Sequence, residues 1–513
     1  QSLPELELPA PEQAPPPERA GEIRFVLSAV RLDGATVFAA EDLRALWEGM
    51  LGREVTLAEI YGLRDAITAR YRNDGYVLSQ AVVPAQRIRA GEVRLEVVEG
   101  FIADVAFQGE VVDRAGLLRR MADRIKASRP LHVSVLERYV LLADDLPGLT
   151  VRTVLEPAEG VPGGTRLTFD LERKAVSGSL GLDNRGTRSI GVLQASAALT
   201  LDDQLGLFDR TSIQGIVAQE IEELRFFDIA HTEPLDAEGT TLTLGARRSW
   251  SSPGDTVRSL DIRSLTTSLR LGLAHPILRS RAETLRAELG FTLRDSETAI
   301  LGRPRSEDRL RILSAGLSYD RSDAWGGSNL VAGTVSKGLD ILGSTSSGSP
   351  LLSRSGGRSD FLKVNLLLQR DQRLGESVSL VAGAEVQHSA DELLSSEEYG
   401  VGGRLFGRAF DPSEITGDSG GAVKLELQYL PPVEAGWLDY SQVFAFVDRG
   451  AVWNHESGIR HGWQSAASYG AGLRFGLMER LDGAVEIALP LMRDPSATGD
   501  RGARAFFNLS IRL

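Results

Sequence analysis

The chain has 513 residues, of which 42% are hydrophobic and 6% aromatic, and its formal net charge at pH 7 is −13. That acidic balance argues against nucleic-acid binding, which needs a basic face, and the absence of cysteine excludes disulfides and thiolate metal sites. The sequence contains no run of eighteen apolar residues, so it predicts no membrane-spanning helix. The strands of a transmembrane barrel, whose alternation is a weak signal, are compatible with this composition.

Residues 1–21 form a tail rich in proline and glutamate. Such a composition cannot support a long helix or bury a core, so we expect an extended, flexible linker. The sequence begins at Gln1, without a methionine or an apolar leader, as expected of a processed exported protein.

Residues 22–100 and 101–173 predict two small α+β modules, each with the order β-α-α-β-β. In the first module, Thr56 and Glu59 form a capping box at the start of a helix with regular apolar spacing. Its other predicted elements are strands at 23–32, 76–83 and 92–98 and a short helix at 40–50. The second module has predicted strands at 102–107, 149–155 and 165–171, with two helices between the first two strands. Tandem modules of this size are typical of docking rather than catalysis.

From residue 174 to residue 513 the helical spacing disappears and short alternating segments follow one another. One face of each segment suits lipid and the other suits water, as in the strands of a transmembrane barrel. Sixteen segments are predicted, and an even number is expected of a single-chain bacterial barrel. They start near residues 176, 191, 211, 224, 240, 258, 284, 309, 329, 361, 377, 421, 441, 467, 482 and 504.

A long loop at about 389–420 interrupts this alternation. At roughly 3.3 Å per residue, it is long enough to enter the barrel lumen and return. Within it, Arg408 lies between small residues and close to Phe410. An arginine in such a setting needs a carboxylate partner, because an unpaired buried charge costs several kcal/mol.

The first module contains a set of residues at fixed spacings: Gly75, Tyr76, Pro84, Gln86, Gly91, Glu99 and Gly100. This set resembles the signature of the POTRA domains in two-partner secretion transporters (TpsB proteins, similar to ShlB, FhaC and HecB). The second module adds Leu146-Pro147-Gly148 and Gly164-Thr165. The barrel half is similar to the family at Asp183-Asn184-x-Gly186 and in the turn that contains Leu205, Gly206 and Asp209.

The resemblance implies periplasmic POTRA modules followed by a sixteen-stranded outer-membrane β-barrel with a long loop folded into its lumen. The implied function is type Vb secretion of an unfolded adhesin- or haemolysin-like partner by a monomeric pore, without catalysis, metal or cofactor. An alternative from the same superfamily is a factor that inserts other barrels into the membrane. Neither the cargo nor an N-terminal plug helix is identified by the sequence.

The family's loop motif is Val-Arg-Gly-Tyr/Phe, and this chain has Gly407-Arg408-Ala409-Phe410 in its place. The resemblance implies that Arg408 forms an ion pair with Asp448 on the inner wall. Asp448 shares its strand face with Phe444 and Phe446, which favours an inward position. The alternative is an aspartate that simply ends its strand beside Gly450.

Two other patterns invite a chemical interpretation. The run 417–421, Gly-Asp-Ser-Gly-Gly, matches the nucleophile pentapeptide of chymotrypsin-like proteases, but none of the six histidines stands in a context that would supply the base. His455 and His461 flank a strand end near Trp453 and Trp463, where a metal site would need a third ligand. Tryptophans at strand ends favour a membrane boundary instead.

Overall fold

The computed structural model describes residues 15–433, 435–455 and 462–513. Most of the predicted proline-rich tail therefore lies outside the described residues, as does His461. The chain divides into two compact units, Gln1–Arg173 and Lys174–Leu513. In the described ranges, no helix is both long and apolar enough to cross a membrane.

The first unit contains two β-α-α-β-β modules, and their elements are β1 (Arg24–Val26), β2 (Ala29–Asp33), α1 (Ala40–Arg44), β3 (Glu54–Thr56), α2 (Leu57–Asn73), β4 (Gln80–Val82) and β5 (Glu92–Val98), then β6 (Phe101–Gln108), α3 (Leu117–Ala127), α4 (Val133–Asp144), β7 (Leu149–Pro157) and β8 (Gly164–Arg173). Strands β2, β5 and β4 form one sheet with β5 in the middle, and strands β6, β8 and β7 form another with β8 in the middle.

Three predicted elements of the first module differ in detail. The predicted strand at 23–32 is two strands, because β1 pairs with β3 while β2 joins the sheet with β5. The predicted helix at 40–50 ends at Arg44 and is followed by a 3₁₀ turn at Glu48–Met50. The strand predicted at 76–83 is only Gln80–Val82, since a tight turn precedes it, in which the Ser79 N–H donates to the Tyr76 carbonyl.

The second unit is a closed antiparallel barrel of sixteen strands, which confirms the predicted fold class. The strands are β9 (Val176–Asp183), β10 (Gln194–Asp202), β11 (Arg210–Ala218), β12 (Leu224–Pro234), β13 (Thr241–Ser251), β14 (Arg263–Arg279), β15 (Glu283–Ile300), β16 (Arg303–Ser322), β17 (Gly327–Gly338), β18 (Leu362–Arg373), β19 (Val378–Ser389), β22 (Ser419–Tyr429), β23 (Leu438–Trp453), β24 (Gln464–Leu477), β25 (Leu481–Pro490) and β26 (Arg504–Arg512). Strands β20 (Tyr399–Val401) and β21 (Ile415–Gly417) form a separate hairpin between β19 and β22.

The barrel closes where its first strand, β9, meets its last, β26. This closing pair has five paired positions, from Asn508 opposite Asp183 to Arg512 opposite Ser179. Adjacent pairs are longer, for example eight positions between β9 and β10. The seam is therefore the shortest strand pairing in the described cylinder.

Alternation divides each strand between an outer apolar face and an inner polar or aromatic face. On β23, Phe444, Phe446 and Asp448 are buried, while Val443 and Val447 are exposed. One end of the barrel carries only short turns, and we call it the short-turn end. The opposite end carries the connections 339–361 and 390–418, and we call it the long-loop end.

Candidate functional site

The connection 390–418, which we call the internal loop, packs against side chains on the inner face of the barrel. Its hairpin pairs Tyr399 with Gly417 and Val401 with Ile415. Together with the wall it forms one buried apolar cluster. The loop contributes Tyr399, Val401, Phe406, Ala409, Phe410 and Ile415, and the strands contribute Ala422, Phe444, Phe446, Val452, Ala466, Ala488 and Phe506.

Arg408 is the charged centre of this contact, with only 4% of the residue exposed. Its Nη2 lies 2.6 Å from Glu426 Oε2 on β22, and its Nη1 lies 3.5 Å from Glu486 Oε2 on β25. The guanidinium also stacks over Phe446, 4.2 Å from the ring centroid. A cation on the loop is thus bound by two acids and lies over the rings of Phe446 and, at 5.9 Å, Phe444 of the wall.

The predicted ion pair between Arg408 and Asp448 is wrong, although both residues join the loop to the wall. Asp448 binds the loop backbone instead, accepting from the N–H of Gly407 at 2.7 Å and of Arg408 at 3.4 Å. It also accepts from the Ser468 hydroxyl at 2.6 Å. Because the carboxylate is occupied by these donors, the guanidinium extends to other strands.

Two further arginines share the acids that bind Arg408. Arg474 contacts Glu426 at 2.8 Å and stacks on Phe444 at 3.9 Å, while Arg185 contacts Glu486 at 2.6 Å. Both acids and their partners were missed by sequence reasoning. On β22 the signal was the alternation of Lys424, Glu426 and Gln428 with apolar neighbours, which marks an inner face but does not select the partner of Arg408.

The motif residues around Arg408 shape the turn. Gly407 has φ +70°, and a Cβ there would lie 3.1 Å from the backbone of Gly402, so glycine suits this position sterically. Ala409 and Phe410 are fully buried in the apolar cluster. The small side chain of Ala409 and the ring of Phe410 therefore contribute packing rather than polar contacts.

The internal loop also contacts both sides of the barrel seam. On the β9 side, Arg404 pairs with Asp183 at 2.6 Å, and Arg185 donates to the Arg408 carbonyl at 3.0 Å. On the β26 side, Arg504 donates to the Ala409 carbonyl at 2.9 Å and to Asp411 at 2.6 Å.

The pentapeptide 417–421 is a structural junction. Asp418 is fully buried and forms a bidentate ion pair with Arg354 from the connection 339–361, while accepting from the backbone N–H groups of Leu393 and His455. Ser419 is also fully buried and donates to the Ser389 carbonyl at 3.1 Å. His388 Nδ1 lies 3.5 Å from the serine hydroxyl, while the Asp418 carboxylate is engaged by Arg354 and by backbone N–H groups.

At the strand end near His455, the described residues include two tryptophans in contact. Trp453 and Trp463 stack with centroids 5.7 Å apart. Among the residues that the structure describes, no group of three or more histidine, aspartate or glutamate side chains is arranged to hold a metal ion.

In the first module, Glu99 is the polar hub of the POTRA signature. It accepts from the backbone N–H of Thr36 and of Val37 at 2.6 and 2.9 Å and from the Tyr71 hydroxyl at 2.8 Å. Burial raises the carboxyl pKa, but the hydrogen bonds outweigh it and hold the pKa of Glu99 below its ordinary value. Burial and the bond to Glu99 raise the pKa of Tyr71.

The other signature residues support the backbone of this module. Gln86 bonds both the N–H and the carbonyl of Arg94, at 2.8 and 2.7 Å, from a turn that follows Pro84. Tyr76 packs its ring edge against Tyr71 and His132. Three glycines admit close contacts: a Cβ would lie 2.5 Å from His132 at Gly75, 2.0 Å from the Val26 carbonyl at Gly91, and 2.4 Å from the Leu78 carbonyl at Gly100.

The barrel-turn residues close the connection between β10 and β11. Asp209 is buried and accepts from the Leu205 N–H at 2.9 Å, and its carbonyl accepts from the Asp203 N–H. Gly206 has φ +73°, in the left-handed region that favours glycine. These residues close a hydrogen-bonded turn at the short-turn end.

Two family models match the chain. The ShlB-type POTRA domain matches residues 25–100, and the haemolysin secretion/activation protein ShlB/FhaC/HecB matches residues 163–475, which is more than half of the chain. The heme/hemopexin transporter protein HuxB of Haemophilus influenzae (strain 86-028NP) is 21% identical over 92% of this chain and 84% of its own length.

The outer membrane transporter CdiB of Escherichia coli is 23% identical over 85% of this chain and 76% of its own length. The solved structure of CdiB from Escherichia coli matches with a TM-score of 0.78 at 21% identity, covering 99% of this chain and 93% of that one, which supports the fold. The chain therefore belongs to the ShlB/FhaC/HecB family and is an outer-membrane transporter of two-partner secretion, with its POTRA modules in the periplasm.

Proposed function

We propose that the periplasmic modules capture an extended segment of an unfolded exoprotein and that the lumen passes it, in a single protomer, once the internal loop leaves the wall. The observation that carries this proposal is the loop's position. Its buried cluster and the Arg408 contacts lie against the inner face, where a translocating chain would pass. Folding of the exoprotein outside the cell draws the rest of its chain through the lumen.

Capture is supported by the open edge of the second module's sheet. Among the described strands, β7 pairs only with β8, along one side, and its residues alternate between buried and exposed. Val154, on the exposed face, is half accessible to solvent. An extended peptide can add to such an edge through backbone hydrogen bonds with weak demands on its side chains.

The capture test is a titration of residues 15–173 with the N-terminal domain of the partner exoprotein. We expect a dissociation constant of tens of micromolar, corresponding to about −6 kcal/mol. Val154→Lys should weaken binding, because charge on an edge strand opposes pairing. The matched control is Val161→Lys, which places the same charge in the adjacent turn. No binding by the wild-type fragment would assign capture to another part of the chain.

The partner is an adhesin- or haemolysin-like exoprotein. This inference is supported by two relatives, the heme/hemopexin transporter HuxB and the haemolysin transporter HpmB of Proteus mirabilis. The assembly-factor alternative makes a different prediction. A photocrosslinker at Gln442, on the inner face of β23, should capture an extended exoprotein. Capture of a folding barrel protein instead of the exoprotein would favour the alternative function, insertion of other barrels into the membrane.

A further inference from the structure

Two arginines on the outer face of the barrel lie beside one tryptophan near the long-loop end. Arg225 on β12 is directly opposite Trp250 on β13, and Arg248 is opposite Phe227. Their guanidinium carbons lie 5.8 and 5.1 Å from the Trp250 ring centroid. Phe227 is exposed and shares this face. The side chains of Arg225, Arg248 and Trp250 therefore point away from the lumen.

These two arginines carry charges that no carboxylate of the described residues neutralises by direct contact. In the described part of the chain, neither guanidinium has a carboxylate within salt-bridge distance. The inner face of the same hairpin differs, because Arg247 contacts Asp228 at 2.6 Å and Arg270 contacts it at 2.8 Å. The outer pair of cations is therefore available to an external anion.

Chain connectivity fixes the leaflet that this pair faces. Strand β9 follows the periplasmic modules and begins at the short-turn end, so the long-loop end faces the cell exterior. Toward the barrel centre, Phe227, Ala246 and Leu269 continue the same outer face as an apolar surface. Cations and an aromatic ring above an apolar band are typical of residues at the headgroup level of a membrane.

A groove of about 620 Å³ is lined by Arg225 and Trp250 of this cluster, and the chemistry of its lining suggests the headgroup. Its lining combines Arg225 and Trp250 with serine hydroxyls and four carboxylates, which belong to Glu222, Asp261, Glu297 and Glu307. Arginine suits phosphate, whereas serines and carboxylates suit sugar hydroxyls. A headgroup that offered only negative charge would be repelled by these four carboxylates. We propose that Arg225, Arg248 and Trp250 bind the phosphate of a phosphorylated glycolipid in the outer leaflet.

The test is a binding assay on the purified full-length protein in detergent with a radiolabelled diglucosamine lipid that carries two phosphates. The double variant Arg225→Ala/Arg248→Ala should bind this lipid at least about tenfold more weakly, as expected for loss of charge-assisted hydrogen bonds. The control is Arg449→Ala, which removes an exposed arginine from the outer face of β23. We expect it to leave binding unchanged.

Competitors identify the chemical source of the phosphate. Unlabelled bisphosphorylated lipid should displace the label, whereas the dephosphorylated lipid, phosphatidylglycerol and millimolar inorganic phosphate should not. Equal displacement by any of these three would overturn the proposal, as would equal binding by the wild type and the double variant. Arg225→Gln/Arg248→Gln, which keeps the side-chain bulk, should reproduce the loss, and the heat-dependent gel mobility of each variant verifies that its barrel is folded.

Discussion

At the residue scale, the shared acids around Arg408 predict an order among substitutions. Arg408→Ala leaves Glu426 paired with Arg474 and Glu486 paired with Arg185, so we expect a local cost of about 1–3 kcal/mol. Glu426→Ala leaves two arginines without that acid, and removing one member of a buried ion pair costs about 3–5 kcal/mol.

The mobility of the internal loop in each variant tests this order of costs. The chain has no cysteine, so Leu405→Cys provides a single attachment site for a spin label on the exposed side of the loop. The label should be more mobile in Glu426→Ala than in Arg408→Ala. Arg408→Lys should resemble Arg408→Ala, because an ammonium cannot reproduce the planar guanidinium contacts. Equal spectra in wild type and Glu426→Ala would contradict the assigned contacts.

Asp448 predicts a different response, because it binds backbone N–H groups rather than a cation. Asp448→Asn retains an oxygen that can accept from Gly407 and Ser468, whereas Asp448→Ala retains none. Secretion, measured as partner protein in the medium per folded barrel, should fall further in the alanine variant. A direct Arg408–Asp448 ion pair would instead make the two variants similar.

At the element scale, Glu99 gives the first module a defined response to acid. Its pKa in the folded state is below the ordinary value of 4.5, so its bonds stabilise the module fully above that value. The stabilisation is lost as the pH falls through the lowered folded-state pKa. Thermal unfolding of residues 15–173 should therefore show a midpoint that falls between pH 5 and pH 3.

The substitution Glu99→Gln should lower the midpoint at pH 7 and flatten its dependence on acid. The control is Glu92→Gln, which changes an exposed carboxylate at the start of β5, the strand that ends just before Glu99. The Glu92 side chain makes no hydrogen bond or ion pair within the described ranges. An unchanged slope in Glu99→Gln would assign the acid sensitivity to other carboxyl groups.

The alternation of residues predicted the strands well because lipid and lumen impose opposite demands on successive positions. The predicted starts at 176, 224 and 504 coincide with β9, β12 and β26. The partner of Arg408 was not predictable in this way, since which acids converge depends on how distant strands close the cylinder. The burial of Arg408 could be predicted from its small neighbours. Its contact with Glu486 could not, because the two residues are 78 positions apart in the sequence.

At the scale of the whole molecule, the internal loop predicts the resting conductance. Val401 and Ile415 are paired, so residues 402–414 can be replaced by Asn-Gly, which forms a tight two-residue hairpin turn. We expect small, fluctuating conductance from the wild type in planar bilayers and a larger, steadier conductance from this variant. Equal conductance would show that the loop lies outside the ion path.

The loop's contacts with both sides of the seam connect transport to the circumference of the cylinder. When the loop moves, the bonds through Arg404 and Arg504 are lost together, and the first and last strands remain joined mainly by five paired positions. Clearing the passage and loosening its wall are then a single event. A bulky stretch of cargo would meet a ring that can widen, and the ring would tighten again when the loop returns.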